Sequence, residues 1–123
     1  MKIIIDTREQ APFAFRHERM DATTEPGTLA VGDYSLAGLE DRVAVERKSL
    51  PDLVMCLGRE RERFERELAR GAALDAFAGR YRLPFLFAGN RSAAEYMTWG
   101  FLRQYLEGAR KRWKAIAEAH GAA

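Results

Sequence analysis

The stretch VGDYSLAGLEDRVAVERKSLPD, residues 31–52, decides how the rest of this chain is interpreted. Strand-forming residues before and after a short polar segment predict a β-hairpin. If its turn centres on Leu39 and Glu40, Asp33 lies opposite Glu46. Opposed side chains in an antiparallel pair have Cβ atoms about 5 Å apart. The sequence therefore predicts two carboxylates side by side on one face of the hairpin.

A lysine joins these carboxylates, because the period of two places Lys48 on the same strand face as Glu46. Two carboxylates this close repel each other unless a cation or a shared proton lies between them. Acids that hold Mg²⁺ and a lysine that orients a metal-activated water are the groups that metal-assisted phosphodiester hydrolysis uses. The alternative is structural: Glu and Lys two apart on a strand usually form a solvated face, and Asp33 after Gly32 is typical of a turn.

A helix is predicted after the hairpin. Ser49 suits its N-cap, Pro51 its first turn, and Asp52 is a favourable acid near its N-terminus. Residues 59–67 are almost all Arg and Glu, and opposite charges four residues apart support an exposed helix. Solvation therefore explains every member of that charged run except Arg59.

Two apolar runs predict further strands. Residues 2–7 form a short apolar run that ends in charge, which indicates a buried strand whose tip carries Asp6 and Arg8. Residues 84–89 are apolar and bounded by Pro and Gly, which indicates a second buried strand. The polar segment 16–26 is expected to be a loop.

A long helix is predicted near the C-terminus. Ser92 and Glu95 have the spacing of a capping box, and apolar residues at helical spacing continue to about residue 120. Such a helix would span about 40 Å at ~1.5 Å per residue, which is longer than a small core covers. Either it bends at Gly100 or Gly108 and folds back, or its distal half packs on a partner chain.

The composition indicates one soluble globular domain over residues 1–123. The net charge of +2 is small, but residues 1–79 carry 12 basic and 15 acidic residues, and residues 80–123 carry 8 basic and 3 acidic. Positive charge in the last third, including Arg110, Lys111 and Arg112, suits a phosphate backbone. A solvated helix face explains the same charges equally well.

Several classes of protein are excluded by the composition. A single cysteine allows no disulfide within the chain, and two histidines make a Cys/His zinc site very poorly supported. The three apolar residues near the start are too few for a signal peptide, and no run approaches the roughly 18 apolar residues of a membrane span. We therefore expect a cytoplasmic protein with no membrane partner.

The ordered pattern of a Gly-Asp pair, the triplet ERK and an acid four residues later resembles the signature of the XPF-type (XPF/MUS81) structure-specific nucleases. These enzymes are a branch of the restriction-endonuclease-like PD-(D/E)xK fold. Asp33 matches the first acid of the family, and Asp52 matches the closing acid. The ERK triplet supplies Glu46, Arg47 and Lys48. The stretch IIIDTRE at residues 3–9 is similar to the opening strand of the family.

The resemblance implies an α/β fold, with a small mixed sheet of about four strands flanked by helices. It implies a divalent-metal-dependent DNA endonuclease that acts on branched or flapped DNA, or at single-strand/double-strand junctions, in DNA repair or recombination. Mg²⁺ or Mn²⁺ would be held by Asp33 and Glu46, with a lesser role for Asp6. Lys48 would position the attacking water, and Asp52 would orient the basic residues. Phosphate contacts would come from Arg8, Arg47 and Arg59, and relatives that act as dimers make a homodimer plausible.

The chain departs from the family in one interval. Members usually have another strand and helix between the charged helix and the last strand, but here only about fifteen residues, 69–83, fill that space. The motif residues are all present, so an active enzyme is the favoured interpretation. A non-catalytic DNA-binding or scaffold protein derived from such a nuclease is the alternative.

Overall fold

The computed structural model of the chain describes residues 1–63, 65–66 and 90–119. Its strands and helices, in chain order, are β1 (Lys2–Asp6), β2 (Thr23–Gly27), β3 (Tyr34–Leu36), α1 (Leu50–Leu57) and α2 (Arg91–Ala119). The predicted strand at residues 84–89 and the shortened interval at 69–83 lie outside the described residues.

The three strands form one mixed sheet in the order β2-β1-β3. β1 pairs in parallel with β2 and antiparallel with β3, with Ile3 opposite Leu36 and Ile5 opposite Tyr34. This mixed sheet with helices confirms the predicted α/β fold with a restriction-endonuclease-like core. The described residues supply three of the roughly four strands that we predicted.

β2 corrects the prediction of a loop over residues 16–26, because Thr23–Gly27 is a strand. Its residues are exposed and include Pro26 and Gly27, so no apolar alternation marks it. Backbone pairing with β1 creates it instead, from Lys2 opposite Thr23 to Asp6 opposite Gly27. A Cβ on Gly27 would lie 2.7 Å from Ile4 Cγ2, so the close approach of the two strands requires glycine there.

Three buried aromatic rings form the centre of the core beside β3. Phe13 stacks on Tyr34 with ring centroids 5.3 Å apart, and Phe15 contacts both rings edge-on. The Tyr34 hydroxyl also accepts a hydrogen bond from the Phe13 backbone N–H at 3.0 Å. Phe13 and Phe15 are both buried, and this segment brings the chain from β1 close to the hairpin.

The N-cap of α1 is the predicted one, because the Ser49 hydroxyl accepts a hydrogen bond from the Asp52 N–H. The predicted capping box of α2 is wrong. Asn90 caps that helix, with its Oδ1 accepting from the Ala93 N–H at 2.8 Å. Glu95 instead accepts a hydrogen bond from the Phe15 backbone N–H at 3.3 Å. The cap depends on where the helix begins, and this helix begins one residue before Ser92.

α2 continues without interruption through both glycines for 29 residues. Leu102 and Ala109 are buried, and Trp99, Phe101 and Tyr105 pack partly against the core of their own chain. Trp113, further along, remains 47% exposed. Neither described helix combines the length and the apolar character that a membrane span requires.

The hairpin has the predicted register, because Tyr34 pairs with Val45. The second strand is reduced to this single bridge within the described residues. The N–H groups of Asp33 and Tyr34 both donate to the Val45 carbonyl, at 2.9 and 3.1 Å, which is the pattern of a β-bulge. The bulge replaces the expected direct pairing of Asp33 with Glu46, since Asp33 shares Val45 with its neighbour.

Gly32 makes the bulge possible, and its replacement is expected to be costly. Its φ is +78°, and an added Cβ would lie 2.8 Å from the Ala44 Cβ and 3.1 Å from the Val45 carbonyl oxygen. Gly32→Ala is therefore expected to lower the free energy of unfolding by about 2 kcal/mol, as measured by urea denaturation.

Gly38→Ala is the matched control. Gly38 has nearly the same φ, +80°, but nothing lies within 4 Å of the added Cβ. The control should lose only the free energy that a side chain costs at positive φ, about 1 kcal/mol. Equal losses in the two variants would show that the contact with residues 44 and 45 is unimportant.

Candidate functional site

The β-bulge places the Asp33 carboxylate where a strand would otherwise continue. Asp33 Oδ2 accepts a hydrogen bond from the Arg47 backbone N–H at 2.8 Å. The side chain thus takes the place of the next carbonyl in the ladder, which ends the strand pairing after Val45. Asp33 and the ERK triplet are held together by this one contact.

Burial raises the pKa of the Asp33 carboxyl above its ordinary value of 3.8. The Arg47 N–H and the positive charge of Lys48 act in the opposite direction, whereas the nearby negative charges of Glu9 and Asp6 add to the increase. Within the described residues only Oδ2 receives a hydrogen bond, which leaves Oδ1 for another partner. A half-buried carboxylate among other acids is stabilised by a cation.

Glu46 and Lys48 lie together, with Lys48 Nζ 3.4 Å from Glu46 Oε1. This is the same-face arrangement that the period of two predicts. After the larger effects of Asp6, the negative charges of Asp33 and Glu46 also raise the pKa of the Arg8 guanidinium. Direct contacts join Lys48 to Glu46 and the Arg47 backbone to Asp33.

Asp6 is only 3% exposed, and both of its carboxylate oxygens are used. Oδ2 accepts from the Arg8 backbone N–H and Nε, at 3.2 and 2.8 Å. Oδ1 accepts from Arg8 Nη2 at 3.3 Å and from the Leu29 N–H at 2.9 Å. The Arg8 side-chain hydrogen bonds hold the pKa of Asp6 below its ordinary value despite burial. The geometry makes Asp6 the anchor of Arg8.

The side chain of Arg47 contacts the segment that follows β1. Its Nη1 is 3.3 Å from Glu9 Oε1 and donates to the Ala11 carbonyl at 3.1 Å. Its guanidinium covers the Phe13 ring at 5.0 Å from the centroid. No role for Glu9 was predicted, although it directly follows Arg8 in the opening motif. This position next to Arg8 was the sequence signal that could have identified Glu9 as a site residue.

Arg91, the first residue of α2, was also missed. Its Nη2 donates to the carbonyls of Ala11 and Pro12, at 2.8 and 3.0 Å. Its guanidinium lies 4.9 Å from the centroid of the Phe13 ring that Arg47 also covers. No sequence signal predicts this contact, because the residues lie about eighty positions apart.

The remaining predicted residues lie elsewhere on the surface. Asp52 is exposed in the first turn of α1, and Arg59 is exposed just after that helix. Arg110, Lys111 and Arg112 are exposed on the distal half of α2. Their roles in orienting the site or in binding DNA stay predictions.

Within residues 1–63, 65–66 and 90–119, no three His, Cys, Asp or Glu side chains form a ready-made metal cage. The donor set still suits one class of ion. Mg²⁺ is usually bound by one or two carboxylates, with waters and substrate phosphates completing its octahedron. Asp33 and Glu46 match that requirement, whereas the two oxygens of Asp6 already have partners.

The comparison with protein families assigns the chain. The ERCC4 domain model matches residues 5–93, which include the end of β1, the hairpin and the start of α2. No curated protein and no solved structure matches the chain. The ERCC4 domain is characteristic of structure-specific nucleases with a DNA-repair context, in agreement with the XPF/MUS81-type resemblance. With nearly three quarters of its length matched, this chain belongs to the ERCC4 domain family.

Proposed function

We propose that this protein is a divalent-metal-dependent endonuclease that hydrolyses phosphodiester bonds in branched or flapped DNA. Family membership supports a nuclease. The observation that carries the proposal is the hydrogen bond from the Arg47 N–H to Asp33 Oδ2, because it joins the two halves of the motif, GD and ERK, at one point of the fold. The ion pair of Lys48 with Glu46 and the influence of Asp33 and Glu46 on the pKa of Arg8 support the same site.

The proposed division of labour follows from the contacts. Asp33 Oδ1 and Glu46 would hold Mg²⁺ or Mn²⁺, with the Arg47 carbonyl as a further ligand and at most a lesser contribution from Asp6. When bound, such an ion lowers the pKa of a coordinated water and offsets charge on the phosphate. Lys48 orients the attacking water, since its ammonium lies beside Glu46.

Arginines would hold the DNA in this scheme. Arg8 is anchored by Asp6 while its side chain remains 70% exposed, which leaves the guanidinium accessible to a phosphate. Arg47 and Arg59 are proposed to contact neighbouring phosphates. Asp52 is proposed to orient these basic residues, although its backbone N–H serves the cap of α1.

A cleavage assay tests the proposal. Forked, flapped and linear duplexes of equal length are incubated with the purified chain in Mg²⁺, Mn²⁺ or EDTA. Metal-dependent cleavage of the branched substrates ahead of the linear one is the expected result. Binding without cleavage in either metal would instead support the non-catalytic DNA-binding alternative.

The exposed cluster Arg110, Lys111 and Arg112 is proposed to contact the DNA backbone. Replacing all three with Gln is expected to lower the slope of log affinity against log salt by about three units, one for each lost phosphate contact. Fluorescence anisotropy of flapped DNA at several salt concentrations measures it. Arg61→Gln is the control, because Arg61 already pairs with Glu65 at 3.1 Å. An unchanged slope in the triple variant would indicate a solvated helix face.

A homodimer is proposed from the far end of α2. Trp113 is a large apolar side chain with 47% exposure at the distal part of a long helix, which is a typical interface anchor. Light scattering is expected to give about twice the chain mass of 14.0 kDa at tens of micromolar. Trp113→Glu should give the monomer mass.

Tyr96→Glu is the matched control for the dimer. Tyr96 is 59% exposed near the opposite end of the helix, where its ring packs at a tilt against Trp99 of the same chain. This variant should keep the dimer mass. A wild-type mass near 14.0 kDa would contradict the proposal.

A further inference from the structure

Two guanidinium groups from distant parts of the chain lie over one aromatic ring. Arg47 and Arg91 are 5.0 and 4.9 Å from the Phe13 centroid. Both donate to the same carbonyl, that of Ala11, so the two cations are immediate neighbours. Like charges placed this close repel each other, and an anion that binds between them would relieve that repulsion.

The two guanidiniums share few acidic partners. Glu9 is the single carboxylate that pairs with either guanidinium within the described residues, and it contacts Arg47. Arg91 is held by neutral carbonyls alone in that part of the chain. Among the described contacts, Arg91 therefore has no ion-pair partner of its own.

Both arginines keep donors for a ligand. A guanidinium has five N–H donors, and among the described contacts the side chains of Arg91 and Arg47 use only Nη2 and Nη1, respectively. The ring of Phe13 is buried beneath them, which fixes where the two planar groups lie. Paired guanidiniums with free donors match the geometry of a phosphate oxyanion.

The position of Arg91 supports a use beyond helix stability. It is the first residue of a 29-residue helix that has no acid in its first turn. The positive end of the helix dipole disfavours a cation there. The same dipole adds to the potential that attracts an anion.

We propose that Arg91 and Arg47 together bind a DNA phosphodiester adjacent to the one that is cut. The inference rests on the proposed nuclease function and adds Arg91 to it. Arg47 connects the arginine pair directly to the proposed metal site, because its backbone N–H also donates to Asp33. The pair is thus set beside the proposed metal ligands and is independent of the distal cluster on α2.

The test measures binding of flapped DNA in EDTA, where no cleavage occurs. Arg91→Gln is expected to weaken binding about tenfold and to lower the salt slope by about one unit. Arg61→Gln, an exposed arginine paired with Glu65, should change neither. A wild-type slope in Arg91→Gln would overturn the proposal.

A second experiment identifies which DNA phosphate the arginine pair contacts. Single linkages around the junction are replaced in turn with neutral methylphosphonates. At one linkage the wild type should lose about tenfold in affinity, while Arg91→Gln should lose clearly less, because only Arg47 still contacts that phosphate. The absence of any such linkage would overturn the proposal. Cleavage by the wild type in Mg²⁺ is followed in parallel, so failure of the nuclease function is distinguished from failure of the Arg91 contact.

Arg91→Lys covers the case in which the Gln variant does not fold. Lysine loses the planar guanidinium whose Nη2 donates to the two carbonyls but keeps the positive charge. An unchanged salt slope is expected for this variant, and a slope lower by one unit would overturn the proposal.

Discussion

Asp33→Asn is expected to reduce metal-dependent cleavage by at least about a thousandfold while raising the melting temperature of the metal-free protein. The amide keeps an oxygen that can accept the Arg47 N–H, so the bulge should survive. It removes a charge that burial and nearby acids disfavour. The increase should be on the order of 3 °C.

The pH dependence follows from the direction of the pKa shift. The folded-state pKa of Asp33 lies above its ordinary value of 3.8, so the folded protein binds this proton more tightly than the unfolded chain. Its contribution to stability is present below about 3.8 and is lost as the pH rises through the raised pKa. The difference in melting temperature between Asp33→Asn and the wild type should therefore grow as the pH rises from about 3.8 through the raised pKa. It should then stay constant up to neutral pH.

Glu46→Gln should abolish cleavage to the same extent, because Glu46 is the second proposed ligand. Asp41→Asn, at an exposed turn position of the same hairpin, is the control and should leave both activity and melting unchanged. Melts with added Mg²⁺ complete the comparison: the ion should stabilise the wild type and the control, but not the two site variants. Wild-type cleavage by either site variant would refute the assignment.

Asp6→Ala is expected to cause the largest loss of stability, about 3 kcal/mol by urea denaturation. The buried carboxylate accepts four hydrogen bonds. Its removal takes away the acceptor of the Leu29 N–H and leaves Arg8 with the Leu29 carbonyl as its partner among the described residues. Glu25→Ala is the control on the neighbouring strand. Its ion pair with Lys2 is more than half exposed on both sides and should contribute less than about 1 kcal/mol.

Lowering the pH should reduce the difference in free energy of unfolding between the wild type and Asp6→Ala. The pKa of Asp6 is lowered by Arg8, so its contribution to stability is present above about 3.8 and is lost as the pH falls through the lower folded-state value. A loss below 1 kcal/mol in Asp6→Ala at neutral pH would show that Arg8 is held by other contacts.

Much of the site could be predicted from local sequence patterns. The period of two placed Glu46 beside Lys48, and the position of the turn gave the pairing of Tyr34 with Val45. The bulge could not be predicted in the same way. It depends on Gly32 at positive φ and on a carboxylate that takes the place of a backbone acceptor, and neither is visible in apolar periodicity.

Other features depended on partners far away in sequence. β2 is exposed and contains Pro26 and Gly27, so only its pairing with β1 makes it a strand. The caps of α2 were misassigned because Glu95, which matches a capping box, is recruited by the Phe15 N–H instead. Arg91 reaches Ala11 across a separation of eighty residues. Patterns within a short window contain no information about such contacts.

The contacts between the first turn of α2 and residues 11–15 affect the order in which the site forms during synthesis. Arg91 and Glu95 hold this segment, and through Ala11 it holds Arg47. A nascent chain that has emerged only as far as residue 66 displays the complete GD and ERK motifs, and Tyr34 and Arg47 already contact the segment. About thirty more residues must emerge before Arg91 and Glu95 add their contacts, so this segment is fully fixed only well after the motifs themselves are made.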